Sequence, residues 1–127
     1  MKHLTLSVLP ERLAICRRSA GESLIDLIPD TPGFWSLTRT EDEISIVMPE
    51  ELVPVEWESH GGWRGIKVEG PLDFELTGIL ASLTEPLAQA EVSAFAISTY
   101  DTDYLLVKDS DLDKALQVLR TCGHSLA

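Results

Sequence analysis

Leu4, Leu6 and Val8 alternate with Thr5 and Ser7 near the start of the chain. That is the period-two pattern of a half-buried strand. Pro10-Glu11 reads as a turn and Leu13 to Arg17 as a returning strand, so the pattern predicts a hairpin. Glu22 to Ile28 reads as a short helix stopped by Pro29, because a proline pushes the residue before it out of the helical region. Phe34 to Thr40 and Glu43 to Met48 predict a second hairpin, turning at Thr40-Glu41-Asp42. Pro49-Glu50 suits the opening of a helical turn. Pro54 and Gly61-Gly62 then bracket a polar stretch without a clear period. The breakers predict a boundary there, dividing the chain into modules 1–58 and 59–127.

The second half has a different pattern. Trp63 to Val68 reads as a strand and Gly70-Pro71 as a turn. From Thr77 onward, Ile79, Leu80, Leu83, Leu87 and Ala90 recur at helical spacing. Thr77 is the expected N-cap, or Asp73 if the helix starts earlier. Pro86 falls inside this helix, where it removes the bond to the Ser82 carbonyl. Val92 to Thr99 and Tyr104 to Lys108 read as two more strands. Ser110 or Asp111 caps a second helix with Leu112, Ala115, Leu116 and Leu119 on one face. Gly123 ends it, and His124 to Leu126 forms a last short strand. The order βαββαβ is the ferredoxin-like unit of an α+β fold. The first half reads as a degenerate copy, rich in strands and short of helix.

Composition narrows the classes. A chain of 127 residues holds one domain or two very small ones. With 44% apolar and 24% charged residues it reads as an ordinary globular protein. A net charge of −11 repels phosphate backbones and argues against nucleic-acid binding. Cys16 and Cys122 make no C-x-x-C and read as small buried hydrophobes. The N-terminus lacks the apolar centre of a signal peptide, and no apolar run reaches the ~18 residues of a membrane span. A cytoplasmic location is expected, without membrane contact.

Candidate chemistry is sparse. His3, His60 and His124 have no metal-ligand spacing and read as surface or incidental residues. No nucleophile elbow and no phosphate loop occurs. Asp109, Asp111 and Asp113 imitate the opening of a calcium loop. The imitation fails at Lys114 and Arg120, so they read as the acidic start of a helix. Trp35, Trp57 and Trp63 read as packing between the halves, and Arg17-Arg18 as a solvated strand edge. No catalytic residue, metal or cofactor is expected.

One stretch carries more. Residues 98–107, Ser-Thr-Tyr-Asp-Thr-Asp-Tyr-Leu-Leu-Val, place a polar cluster between two strand runs. Asp101 and Asp103 lack a neighbouring nucleophile or metal for acid–base work. Hairpin turn chemistry and a ligand-contacting edge remain as readings. Some twenty residues upstream, the N–H groups near Leu76 to Ile79 attract an anion such as an α-carboxylate. Gly78 lets a ligand approach the backbone closely. Asp103 or Asp101 can take an α-ammonium by charge-assisted hydrogen bonds. Together these make a receptor for a zwitterion.

Gly62-Trp63-Arg64, Val68-Glu69-Gly70-Pro71-Leu72, Thr77-Gly78-Ile79-Leu80-Ala81-Ser82 with Pro86-Leu87-Ala88, and residues 96–107 resemble an ACT domain. Phe34 to Thr40 followed by Ile44 to Val47 is similar to the first module of the CASTOR arginine sensors. The resemblance covers nearly the whole chain, and it points to small bacterial tandem-ACT proteins related to those sensors. It implies a non-catalytic regulatory protein that binds a small effector, usually an amino acid, at a module interface. The implied contacts are Asp73, Leu76 and Thr77 on the loop side, and Thr99, Tyr100 and Asp103 on the hairpin side; the helix start read from the residues adds Gly78 and Ile79. Leu76 stands where the arginine sensor carries an acidic residue, so a guanidinium loses its ion pair and arginine is disfavoured. Exposed edges of small sheets invite pairing, and ACT modules commonly pair side by side, so a homodimer is expected, with a protein partner that receives the signal. The alternative is a protein-interaction module whose pocket is vestigial and holds no ligand.

Overall fold

The computed structural model describes residues 3–28, 30–73 and 75–127. The strands are β1 (Thr5–Arg18), β2 (Ser36–Arg39), β3 (Ile44–Pro49), β4 (Glu58–Val68), β5 (Ala94–Ser98), β6 (Asp103–Lys108) and β7 (Ser125–Leu126). The helices are α1 (Ile79–Gln89) and α2 (Leu112–Thr121). The chain divides into two units. One contains the described residues up to Pro10 together with Trp63–Ala127, and the other contains Glu11–Gly62.

The larger unit is the ferredoxin-like one: β4, α1, β5, β6, α2 and β7 follow one another as βαββαβ. β6 pairs antiparallel with β4, Ile66 opposite Leu105, and with β5, Ala96 opposite Leu105. The first half of β1 stands between β4 and β7, so the unit is closed by the start of the chain. Thr5 and Leu6 run parallel to Ser125 and Leu126, and the Glu69 N–H donates to the Thr5 carbonyl at 2.8 Å. Alternate strand residues Leu4, Leu6, Ile66, Val68, Leu105 and Val107 form one face of the core. Ile79, Leu83 and Leu87 of α1 and Ala115 and Leu119 of α2 cover it. The helical spacing of those residues is what places them on a single stripe.

His124 is a structural residue of this unit, against the expectation of a surface role. It is 4% exposed. Its Nδ1 accepts the Leu4 N–H at 3.1 Å, so its Nε2 is the nitrogen that carries the proton and donates to the Ser82 carbonyl at 3.2 Å. Ser82 is four residues before Pro86, which lies inside α1 and has no N–H to offer that carbonyl. The histidine supplies the hydrogen bond that the proline removes.

In the smaller unit, β3 pairs antiparallel with β1 (Cys16 opposite Ile46) and with β2 (Leu37 opposite Ile46). Ala14, Cys16, Leu27, Ile44, Ile46 and Met48 are buried there, with Leu24, Trp35, Val53 and Trp57 packed against them. No α-helix occurs among its described residues. Short 3-10 turns at Leu24–Asp26 and Glu50–Leu52 stand in for one.

Several local expectations change. No hairpin forms at Pro10-Glu11, because β1 runs unbroken through it, as a strand can where the proline needs no ladder bond. The helix expected over 22–28 shrinks to one 3-10 turn, and its stop signal, Pro29, lies outside the described residues. β4 begins at Glu58, so the breakers Gly61-Gly62 sit inside a strand. The Arg17-Arg18 end of β1 is paired with Ile44 and Ser45, and Arg18 lies 4.8 Å over the Trp57 ring while bonding Glu22 at 2.7 Å. The cap of α1 is neither Thr77 nor Asp73. It is Gly78, left-handed at φ 77°, with no side-chain cap bond. Asp111 sits at the N-cap position of α2, likewise without a side-chain bond.

Candidate functional site

A cavity of about 350 Å³ opens in the larger unit, between the segment leading into α1 and the hairpin joining β5 to β6. The lead-in segment leaves β4 at Val68 and crosses the hairpin closely. The Leu72 N–H donates to the Asp101 carbonyl at 2.7 Å, and the Thr102 hydroxyl donates to the Val68 carbonyl at 2.6 Å. The segment then turns on Asp73, whose carboxylate accepts the Glu75 N–H at 2.9 Å and whose carbonyl accepts the Leu76 N–H at 3.0 Å. Such an Asx turn is what an aspartate favours over helix. Gly78 starts α1 without a side chain in the way, so the first N–H groups of the helix have no side-chain cap.

The opposite wall is the hairpin. Ser98 and Asp103 face each other at the end of the β5–β6 ladder, and the Ser98 hydroxyl donates to an Asp103 carboxylate oxygen at 2.5 Å. The Thr99 N–H and hydroxyl both donate to the Thr102 carbonyl, at 2.8 and 3.1 Å. Thr102 is 5% exposed, whereas Tyr100 is 81% exposed. No hydrogen bond or ion pair occupies the Asp101 side chain among the described residues.

Seven of the eight residues proposed from sequence line this cavity: Asp73, Leu76, Gly78, Ile79, Thr99, Tyr100 and Asp103. Thr77 is exposed but is not part of the lining. Asp101, weighed beside Asp103 as an ammonium partner, lines it too, as do Leu72, Leu80, Ser98 and Thr102. Ser98 and Thr102 lie in the polar cluster singled out from the sequence but are not among the contacts it named. The hairpin register held the signal for Ser98, since a serine directly across from an aspartate at a strand end is within hydrogen-bond reach. Thr102 had no such signal, because its partner Val68 is distant in the chain.

Electrostatically the cavity is one-sided. Asp73, Asp101 and Asp103 line it, and no lysine, arginine or histidine does among the described residues. Among the described residues the start of α1 is its positive end, equivalent to a fraction of a charge. That balance disfavours a net-negative ligand. A second cavity of about 390 Å³ lies at the ends of α1 and α2, by Pro86, Gln117 and Cys122. None of its lining residues among those described is charged.

The family model for the ACT domain matches residues 58–121. A second model, for an N-terminal domain, matches residues 11–56. The human cytosolic arginine sensor for mTORC1 subunit 1 is 34% identical over 110 residues, covering 78% of this chain and 32% of the sensor. The chain thus spans about a third of the length of the arginine sensors it matches. Among solved structures, the crystal structure of an Agobacterium tumefaciens protein is 38% identical with a TM-score of 0.90, covering 100% of this chain and 94% of that one. The aspartate kinase of Clostridium acetobutylicum, described as an allosteric enzyme, shares the fold at a TM-score of 0.68 and 13% identity. That match covers 92% of this chain and 34% of the kinase.

Proposed function

The chain belongs to the ACT domain family, and on that premise we propose that it is a non-catalytic regulatory protein that binds a free amino acid in the cavity between the α1 lead-in and the β5–β6 hairpin. The observation that carries this reading is the joining, in one cavity of about 350 Å³, of an uncapped helix start and a wall of carboxylates. The α-carboxylate sits at the N–H groups of α1, beside Gly78. The α-ammonium sits against Asp103 and Asp101, where a charge-assisted bond is stronger than a neutral one.

The effector side chain faces Leu76, an apolar residue that is 37% exposed at the cavity. Arginine has no acidic partner at that position and is disfavoured; a smaller, neutral amino acid fits. Tyr100 and Leu76 present apolar surface at the cavity. A second copy of the chain covering them makes the protein a homodimer, with the effector at the interface. The name of the human relative places that protein in the cytosol, and the same compartment is proposed here. The output passes to a partner protein.

Isothermal titration with each of the twenty L-amino acids, combined with sedimentation, tests the reading. A neutral amino acid is expected to bind and to favour the dimer, and Asp103→Ala is expected to weaken binding by about tenfold or more. Leu76→Glu is expected to turn preference toward arginine. Absence of heat and of any melting shift with all twenty at millimolar concentration sinks the proposal, since a ligand of the folded state raises its stability by mass action. The exposed Tyr100 also suits a second reading, a protein-interaction module without a ligand. On that reading Asp103→Ala and Thr99→Ala leave partner binding intact.

A further inference from the structure

The two walls of the cavity belong to different segments, and their spacing must be set by something. Two hydrogen bonds cross between them: Leu72 N–H to the Asp101 carbonyl, and the Thr102 hydroxyl to the Val68 carbonyl at 2.6 Å. Thr102 is 5% exposed, so its hydroxyl has no ready water to replace Val68. Its own carbonyl receives both the N–H and the hydroxyl of Thr99, a residue of the cavity lining. Its own N–H donates back to the Thr99 hydroxyl at 3.3 Å. One side chain therefore ties the turn to the end of β4, and the same residue's backbone fixes Thr99. Gly70 makes the approach possible. A Cβ there would lie 3.0 Å from the Asp101 carbonyl oxygen, 3.1 Å from the Leu72 nitrogen and 3.2 Å from the Thr102 Cβ.

We infer that Thr102 is a positioning residue for the cavity, a latch whose hydroxyl holds the hairpin wall at its working distance from the start of α1, with Gly70 as the seat it closes on. This rests on the amino-acid-binding reading above and extends it to a residue that need not touch the effector. A zwitterion bridging the two walls reads their separation directly, because both of its charged ends are fixed by its own covalent frame. Loosening the latch lowers affinity without removing any contacting group.

Thr102→Val keeps the shape and deletes the hydroxyl; Thr102→Ser keeps the hydroxyl and deletes the methyl. Each is titrated separately with the twenty L-amino acids, well below its melting temperature, so that the folded fraction does not enter. Thr102→Val is expected to bind the wild-type effector about tenfold more weakly and Thr102→Ser within about threefold of wild type, the scale of one buried hydrogen bond. Amide exchange at Leu72 and Thr99 is expected to quicken in Thr102→Val, while the Val92 amide stays protected. A Thr102→Val protein that binds as wild type overturns the latch and leaves the binding reading standing. So does a Thr102→Ser protein as weak as the valine variant, because packing and not the hydroxyl would then matter. If Thr102→Val does not fold, Gly70→Ala decides: weakened binding supports the latch and wild-type binding overturns it. If the wild-type protein binds none of the twenty, the binding reading falls first and this inference falls with it.

Discussion

The two units cover a small sheet in different ways. The larger one lays α1 and α2 over Leu4, Leu6, Ile66, Val68, Leu105 and Val107. The smaller one packs Leu24, Leu27, Trp35, Val53 and Trp57 over Ala14, Cys16, Ile44, Ile46 and Met48, using turns and indoles where the other uses helices. Either solution removes apolar area from water. Among the described residues, the helical unit also provides a helix N-terminus beside a hairpin, and the cavity lined by Asp73, Asp101 and Asp103 lies there. In the larger unit the helix that covers the core also lines the cavity, through Ile79 and Leu80.

The units also differ in continuity. Glu11–Gly62 is one stretch of chain, whereas the larger unit needs the described residues up to Pro10 to stand between β4 and β7. Deleting residues 1–10 is the most severe way to exploit this difference. Losing the burial of Leu4 and Leu6 alone costs roughly 3–6 kcal/mol, comparable with the stability of many domains. The far-UV helical signal, which comes from α1 and α2, should largely disappear. Full helical signal with an unchanged melting temperature would contradict the closure.

His124→Ala attacks the same closure more gently. It strands the Leu4 N–H and the Ser82 carbonyl, two buried groups, at an expected cost of about 2–4 kcal/mol in urea unfolding. Adding Pro86→Ala restores a donor four residues after Ser82 and should return about 1 kcal/mol or more of that loss. Strict additivity of the two substitutions would show that the histidine does not compensate the proline.

In the smaller unit a comparable test has a smaller effect. Arg18→Gln removes the cation over Trp57 and the partly exposed Glu22 pair. About 0.5–1 kcal/mol is expected, most of it from the ring contact. A loss as large as that of His124→Ala would erase the distinction between a surface clasp and a buried one.

The smallest effect concerns Cys16. Burial pushes its thiol above the ordinary range. A group with a raised folded value adds stability that is complete at neutral pH and is lost as pH rises through that value. Cys16→Ala should therefore flatten the alkaline fall in stability of the smaller unit. In native protein at neutral pH iodoacetamide should modify Cys122, which is half-buried, before Cys16. Equal labelling would contradict the buried position.

Much of this architecture was legible in the chain. The spacing of Ile79, Leu83 and Leu87 announced α1, and Leu112 to Leu119 announced α2, because both stripes face a core. The polar cluster at 98–103 and Gly78 pointed to the two walls of the cavity. What was misread was local chemistry overruled from a distance. Pro10 looked like a turn, but β1 passes through it. Thr77 looked like a cap, but the chain reaches α1 through a left-handed Gly78. His124 looked incidental because its partners, Leu4 and Ser82, are 120 and 42 residues away.

By itself the sequence determined the ferredoxin-like order of the larger unit, its helical stripes and the residue types gathered at the cavity. Periodicity and turn chemistry are local properties, and local properties survive in one dimension. The tertiary structure alone decided that the first strand closes the larger unit, that His124 answers for Pro86, and that Thr102 reaches Val68. Each of these is the satisfaction of a buried polar group by a partner remote in the chain. Burial sets that requirement, and no periodicity records which partner will meet it.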